Sequence, residues 1–176
     1  MLQSARLNLK LPTLADAPDM AKYLNRKDTA HMMSHVPYPY SLDDAKQFIA
    51  RINTQETDKI VNGIYDKNNR FMGVVGIHGR EGMFTLGYWL GYPFWGKGYM
   101  TEACKLAIAE FFSTTEQPEI HVTHFLHNSQ SASIITKLGF SYIGEKLLEA
   151  PARNNVELVK HYILTKQDWV NKVKTG

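Results

Sequence analysis

The chain has 176 residues, 44% of them hydrophobic and 21% charged, which suits a soluble globular protein large enough to bury one full core. Its net charge of +3 is scattered, without a run of lysine or arginine, and this disfavours a nucleic-acid binder; no apolar stretch reaches the length of a membrane span. One cysteine excludes an internal disulfide framework, and the N-terminus lacks a basic-then-apolar leader, so a cytoplasmic protein is expected.

From the N-terminus, Arg6 to Leu11 places Leu7, Leu9 and Leu11 on one face of a first strand. Thr13 or Asp16 caps a helix through Ala17, Met20, Ala21 and Leu24, and Asp28 to Met33 forms a second short turn. Pro37 and Pro39 keep Ser34 to Tyr40 irregular. Ser41-Leu42-Asp43-Asp44 then opens a helix with Ala45, Phe48, Ile49 and Ile52 on its buried face. Lys59 to Asp66 and Phe71 to His78 read as strands around Lys67-Asn68-Asn69-Arg70, and Gly79-Arg80-Glu81-Gly82 turns tightly into the next strand.

The stretch from Met83 to Phe112 organises the rest. Thr85 to Leu90 is aromatic and β-prone, and Gly91, Pro93, Gly96 and Gly98 forbid regular structure after it. From Thr101 the spacing of Ala103, Leu106, Ala107, Glu110 and Phe111 is helical. Such a strand–turn–helix leaves unpaired N–H groups at a helix N-terminus, an anion site suited to phosphate. Gly91 to Lys97 fits seven positions of a P-loop, but Gly98 replaces the hydroxyl that would hold magnesium. Gly96-Lys97-Gly98 supplies half of a dinucleotide fingerprint, and Thr101 stands where its last glycine belongs.

Beyond Pro118, Ile120 to Leu126 forms a strand, and Asn128 caps a helix from Ser129 to Leu138 that Gly139 ends. Phe140 to Leu148 and Val156 to Leu164 pair around Pro151-Ala152-Arg153-Asn154-Asn155, and Thr165 to Asp168 caps a last short helix. The order β-αα-βββ-α-β-α-ββ contains no repeat and no linker, so residues 1–176 form one domain of the α/β (α+β) class. No metal-ligand spacing occurs.

Trp95-Gly96-Lys97-Gly98-Tyr99-Met100-Thr101-Glu102-Ala103 resembles the acyl-CoA loop of the GCN5-related N-acetyltransferases (GNAT), and most nearly that of the ribosomal-protein N-terminal acetyltransferases. Asn128-Ser129-Gln130-Ser131 with Lys137-Leu138-Gly139-Phe140 is a second match, and Val36-Pro37-Tyr38-Pro39-Tyr40 with Asp43, Ala45 and Phe48 is a third. They stand in the family's order and span residues 36 to 140. The resemblance implies a mixed, mostly antiparallel sheet of seven strands, flanked by helices and splayed between the fourth and fifth. Acetyl-CoA would enter that splay. The backbone amides of Gly96, Lys97, Gly98, Tyr99, Met100 and Thr101 would cradle its pyrophosphate. Trp89, Leu90 and Gly91 would pair with the pantetheine arm like an added strand, and Asn128 would hydrogen-bond the same arm or cap its helix.

Many members of the superfamily protonate the departing sulfur with a tyrosine; here the corresponding position is Ile135, and the ribosomal branch instead points to Ser131 as the acid. The base is less defined, because Thr85 stands where relatives carry a carboxylate. Glu149 is nearest to the ribosomal branch's position, His124 is the second candidate, and Glu81, His78 or a water chain are alternatives. Tyr38 and Tyr40 would form a wall of the acceptor site, which does not look like an acidic cage for a polyamine. The function implied is acetyl-CoA-dependent N-acetylation within a ternary complex, with a protein N-terminal amine as the foremost acceptor. A small-molecule amine is the alternative, and Thr85, Ile135 and Met100 motivate a third reading, a silent acyl-CoA-binding module. Nucleic acid and membrane are not expected partners; the chain would act as a monomer or homodimer.

Overall fold

The computed structural model describes residues 1–54, 59–80 and 82–175. The alternating leucines at the N-terminus form not one strand but a hairpin: Leu2–Gln3 (β1) pairs antiparallel with Leu7–Lys10 (β2). Ser4 makes that turn without glycine or proline. Its hydroxyl accepts the N–H groups of Arg6 at 3.3 Å and Leu7 at 2.9 Å, and its own N–H donates to the Leu7 carbonyl.

Two short helices follow, Ala17–Leu24 (α1) and Lys27–Ala30 (α2), and then Leu42–Asn53 (α3). At α3 the capping box forms as its sequence predicts: Ser41 Oγ accepts the Asp44 N–H at 3.1 Å and Asp44 Oδ2 accepts the Ser41 N–H at 2.7 Å. Lys59–Asp66 (β3), Phe71–Arg80 (β4) and Met83–Leu90 (β5) make a meander. Its first turn is held by Asp66, whose Oδ1 accepts the N–H groups of Asn68 and Arg70. Glu81 lies outside the described residues.

Tyr99–Thr114 (α4), Glu119–Phe125 (β6), Ser129–Leu138 (α5), Ser141–Ala150 (β7), Asn155–Thr165 (β8) and Lys166–Thr175 (α6) complete the chain. Gly98, at φ +77°, turns the chain straight into α4, two residues earlier than the apolar periodicity indicates. Asn128 accepts the Ser131 N–H at 3.0 Å to start α5, and Gly139 at φ +88° ends it. Each such cap contributes about 1 kcal/mol of helix stability.

Among the described residues the sheet has eight strands in the order β1-β2-β3-β4-β5-β6-β8-β7, not seven; the additional strand is β1. Every pairing is antiparallel except β5 with β6. That parallel contact consists of one rung, Thr85 opposite His121, after which the two strands part. This is the expected splay. β4 is buried at every position from Phe71 to Ile77, as a strand covered on both faces must be, and both α1 and α4 pack on it. Ile108 and Phe111 of α4 and Leu7, Leu9, Ile64, Met72 and Ile77 of the sheet are almost completely buried. No helix among the described residues is long and apolar enough to cross a membrane.

Candidate active site

A cavity of about 920 Å³ runs through the splay. Alternation along β5 and β6 divides its wall into two sides. Thr85, Gly87 and Trp89 share one face with His121, Thr123 and Phe125, and there the wall continues through Lys146 and Leu148 of β7 and through Met33, Val36, Tyr40 and Phe48. On the other side, Tyr88 and Leu90 meet the 96–101 loop and the start of α5.

The backbone along the open edge of β5 is set by ladder parity. Gly91 N–H donates to the Met72 carbonyl at 2.8 Å, so Trp89 spends its backbone groups on Val74 of β4. Tyr88 and Leu90 therefore direct theirs into the gap. Of the three residues expected to pair with a ligand there, Leu90 alone directs its backbone groups into the gap, and its carbonyl already accepts Trp95 Nε1 at 2.5 Å. Gly91 serves packing: a Cβ would stand 2.8 Å from the ring of Tyr23.

Beyond it the loop is fixed from outside. Gly96 and Gly98 have φ of +74° and +77°, a conformation that side chains disfavour. At Gly96 a Cβ would meet nothing within 4 Å, so the loop backs onto open space. Lys97 turns away, its Nζ donating to the Pro93 carbonyl at 3.0 Å. Arg6 clamps the loop in a way the sequence does not reveal. It donates to the Lys97 carbonyl at 3.0 Å, pairs with Glu102 through Nε at 2.7 Å and again through Nη2, and covers the Tyr99 ring. Burial would raise the Glu102 carboxyl, but hydrogen bonds from Ser4 and Arg6 and the guanidinium charge hold it below the usual range. Met100 is buried in the cavity wall, and Tyr99 and Thr101 line the same wall.

Ser131 lies on the first turn of α5, 8% exposed and in the cavity wall. Its Oγ is 2.7 Å from the hydroxyl of Tyr88, which sequence reading left as an ordinary strand residue. Burial, with the Cys104 thiol nearby, pushes the Tyr88 phenol well above the usual tyrosine range, and the Ser131 hydrogen bond offsets only part of this. The pair is thus a protonated hydroxyl couple. Asn128 caps α5 and also lines the cavity.

The other expected groups divide. His124 is 6% exposed and lines the cavity, but its Nδ1 donates to the Phe125 carbonyl at 2.9 Å and its Nε2 is 3.2 Å from the Tyr162 hydroxyl. Glu149 stands outside the cavity. Lys146 and Leu148 face inward, so the period of two turns Glu149 outward, where it borders a shallow hollow with Pro151, Asn154, Asn155 and Val156. Tyr40 is buried in the cavity wall, and burial lifts its phenol to about 12; Tyr38 is 49% exposed and lies off the wall. His78 lines the acceptor side, and Glu81 cannot be placed because it lies outside the described residues. Cys104, a residue of α4, is fully buried, and burial raises its thiol far above the range in which it would act as a nucleophile.

Residues 6–141 match the family model of the acetyltransferase (GNAT) domain. The chain is a GNAT acetyltransferase. It is 26% identical over 149 residues to the uncharacterized N-acetyltransferase p20 of Bacillus licheniformis, a match covering 81% of this chain and 83% of p20. Two crystal structures share its fold at 22% identity, each with a TM-score of 0.78. One is the microcin C7 self-immunity acetyltransferase MccE in complex with acetyl-CoA and AMP, with coverage of 92% of this chain and 93% of that one. The other is the ribosomal-protein-S5-alanine acetyltransferase of Vibrio fischeri, with coverage of 95% and 97%.

GNAT acetyltransferases use acetyl-CoA, and this chain's residues fit it. The left-handed glycines, the open space over Gly96 and the N-terminus of the 16-residue α4 form a cradle for an anion. Leu90 and Tyr88 would present backbone groups to the extended arm of acetyl-CoA. When bound, acetyl-CoA supplies the acetyl group as a thioester. The Tyr88–Ser131 hydroxyls stand in the wall of the same cavity, where they would hold a proton for a departing thiolate.

Proposed function

We propose that this GNAT acetyltransferase transfers the acetyl group directly to a primary amine, with a protein N-terminal amine as its acceptor. The observation that carries the amine-transfer reading is the single cavity that joins the phosphate cradle and the Tyr88–Ser131 couple to a separate chamber across the splay. Two substrates entering from opposite sides meet there without a covalent enzyme intermediate, and the one thiol of the chain is sealed in the core. The choice of a protein N-terminus rests on the Trp95-to-Ala103 stretch, which resembles that of the ribosomal-protein branch except at Met100, and on the similarity to the S5-alanine enzyme.

The chamber itself fits a small, weakly charged end group. Its wall combines Met33, Val36, Tyr40 and Phe48 with Lys146, whose charge would repel a polycation. A small-molecule amine is the second reading, favoured by the similarity to MccE, which was crystallised with AMP. CoA release measured over N-terminal peptides and small amines tests the proposal. Peptides with small N-terminal residues are expected to give the highest kcat/KM. A small amine preferred over every peptide would replace the protein acceptor by the second reading, and CoA release with no amine at all would refute both.

A further inference from the structure

On the acceptor side of the cavity His121 lines the wall and is connected to two side chains behind it, none of which has a part in the sulfur-side chemistry. His121 Nε2 lies 3.0 Å from Glu119 Oε1, and His121 Nδ1 lies 3.0 Å from His161 Nε2. The two imidazole rings are 5.0 Å apart and tilted by 35°. Only one arrangement of protons satisfies both contacts with Glu119 ionised and both rings neutral. His121 donates from Nε2 to the carboxylate, and its Nδ1 accepts the Nε2–H of His161.

Three features fit this chain to proton transfer. His121 lines the cavity with its side chain 13% exposed, and it stands opposite Thr85 on the single rung where β5 and β6 are joined. Partners across a rung project to the same face, so the imidazole sits at the closed end of the splay, beside Thr85 and on the side of Gly87 and Trp89. Burial, the charge of Lys146 and the neighbouring His121 lower His161 to about 4, so it remains neutral near pH 7. His121 thus stands between a carboxylate and a neutral imidazole. Glu119, with 40% of its side chain exposed, connects His121 to solvent.

We propose that His121, oriented by Glu119 and His161, is the group that takes the proton from the acceptor ammonium. This rests on the amine-acceptor reading above. One N–H bond of the ammonium breaks as its proton binds His121 Nδ1. The lone pair of that nitrogen is freed when the His161 N–H that it accepts swings away, while His121 Nε2–H stays on Glu119. The amine's freed lone pair forms the N–C bond at the thioester carbonyl, and the C–S bond breaks with its electron pair on sulfur. The second amine proton, lost as the amide forms, neutralises the thiolate by way of the Tyr88 and Ser131 hydroxyls. The His121 proton then leaves past Glu119, so that ammonium and acetyl thioester give amide, thiol and one released proton. The titratable groups around His121 are Glu119 on its own strand, His161 on β8, Lys146 on β7 and, in the same chamber, His78 on β4.

The test compares wild type, His121→Gln and Glu119→Gln in three measurements: the pH profile of CoA release with an amine the wild type acetylates, CoA affinity by calorimetry, and the titration of the His121 ring in the free protein by NMR. His121→Gln is expected to lower kcat/KM on the order of a hundredfold near neutral pH, with a loss that shrinks as pH rises and the amine deprotonates unaided. CoA affinity should stay within about threefold. Removing the Glu119 carboxylate withdraws support from the imidazolium, so Glu119→Gln should lower the titration point of His121 and move the acid limb of the rate profile to lower pH by the same amount. A wild-type rate in His121→Gln, or a loss that is the same at every pH, overturns the proposal. So does a Glu119→Gln variant that leaves the His121 titration unmoved. If the wild type transfers acetyl to no amine while still binding CoA, the amine-acceptor reading itself has failed.

Discussion

Replacing Gly98 by valine tests the phosphate cradle most directly. Gly98 sits at φ +77° and ψ 0° as the residue that turns the loop into α4. An L-residue there costs roughly 1–2 kcal/mol, and a branched Cβ falls at the upper end. A Cβ alone would lie 3.5 Å from Arg6 Nη2, an ordinary contact, so alanine adds strain without a clash. The two methyl groups of valine reach further, toward the guanidinium that holds the Lys97 carbonyl and Glu102. The loop can relieve this only by turning its N–H groups out of the cradle. A cost of about 2–3 kcal/mol, little of it regained on binding, raises the dissociation constant for CoA by roughly thirty- to more than a hundredfold. The same strain is a fraction of a domain's 5–15 kcal/mol of stability, so Gly98→Val should remain folded with a Tm lower by about 4–10 °C. Calorimetric titration with CoA and a thermal melt measure the two effects, with Gly98→Ala expected between valine and wild type. An unchanged CoA affinity in a folded Gly98→Val protein would show that phosphate does not lie on this loop.

Ser131→Ala and Tyr88→Phe should each lower kcat on the order of ten- to a thousandfold while leaving CoA affinity within about threefold, as expected for lost proton delivery; wild-type rates in both would reduce the couple to packing. Glu149→Gln should leave kcat/KM within about twofold, because the side chain faces away from the cavity; a loss of tenfold or more would mean that β7 presents its other face to the acceptor. His161 is lowered to about 4 in the folded chain, with His121, Lys146 and, beyond His121, Glu119 around it, whereas in the unfolded chain it titrates near 6.5. The unfolded state therefore binds the proton first, and stability present above about pH 6.5 is lost as pH falls toward 4. In His161→Gln the fall in Tm between pH 7 and pH 4.5 should be smaller than in wild type, and equal falls would contradict the assignment.

Most of the fold was legible because its signals are local. Ser41-Leu42-Asp43-Asp44, Asn128 and Gly139 act within one helical turn, and each forms the cap its spacing indicates. The strand Leu2–Gln3 escaped because Ser4, rather than glycine or proline, makes its turn. The shape of the 96–101 loop was legible for a related reason: a backbone that must be left-handed writes itself into the chain as Gly96 and Gly98. Arg6 was not legible, since it reaches Lys97 and Glu102 from more than ninety positions away and carries no spacing signal.

The acceptor side is built on the opposite plan. Its polar groups come from separate strands, Glu119 and His121 from β6, His161 from β8 and Lys146 from β7, and sheet register rather than sequence spacing brings them together. Alternation decides which of them matter. The inward residues of β7 are even-numbered near its end, which puts Lys146 and Leu148 in the chamber and excludes Glu149; on β6 the odd positions carry His121 to the acceptor face, while His124 faces Tyr162 and α5. A shift of one residue in either register would exchange these roles. Thr85 could be recognised in the sequence as a place without a carboxylate. That a neighbouring strand sets an imidazole, backed by a carboxylate, directly beside that place follows only from the one rung that joins β5 to β6.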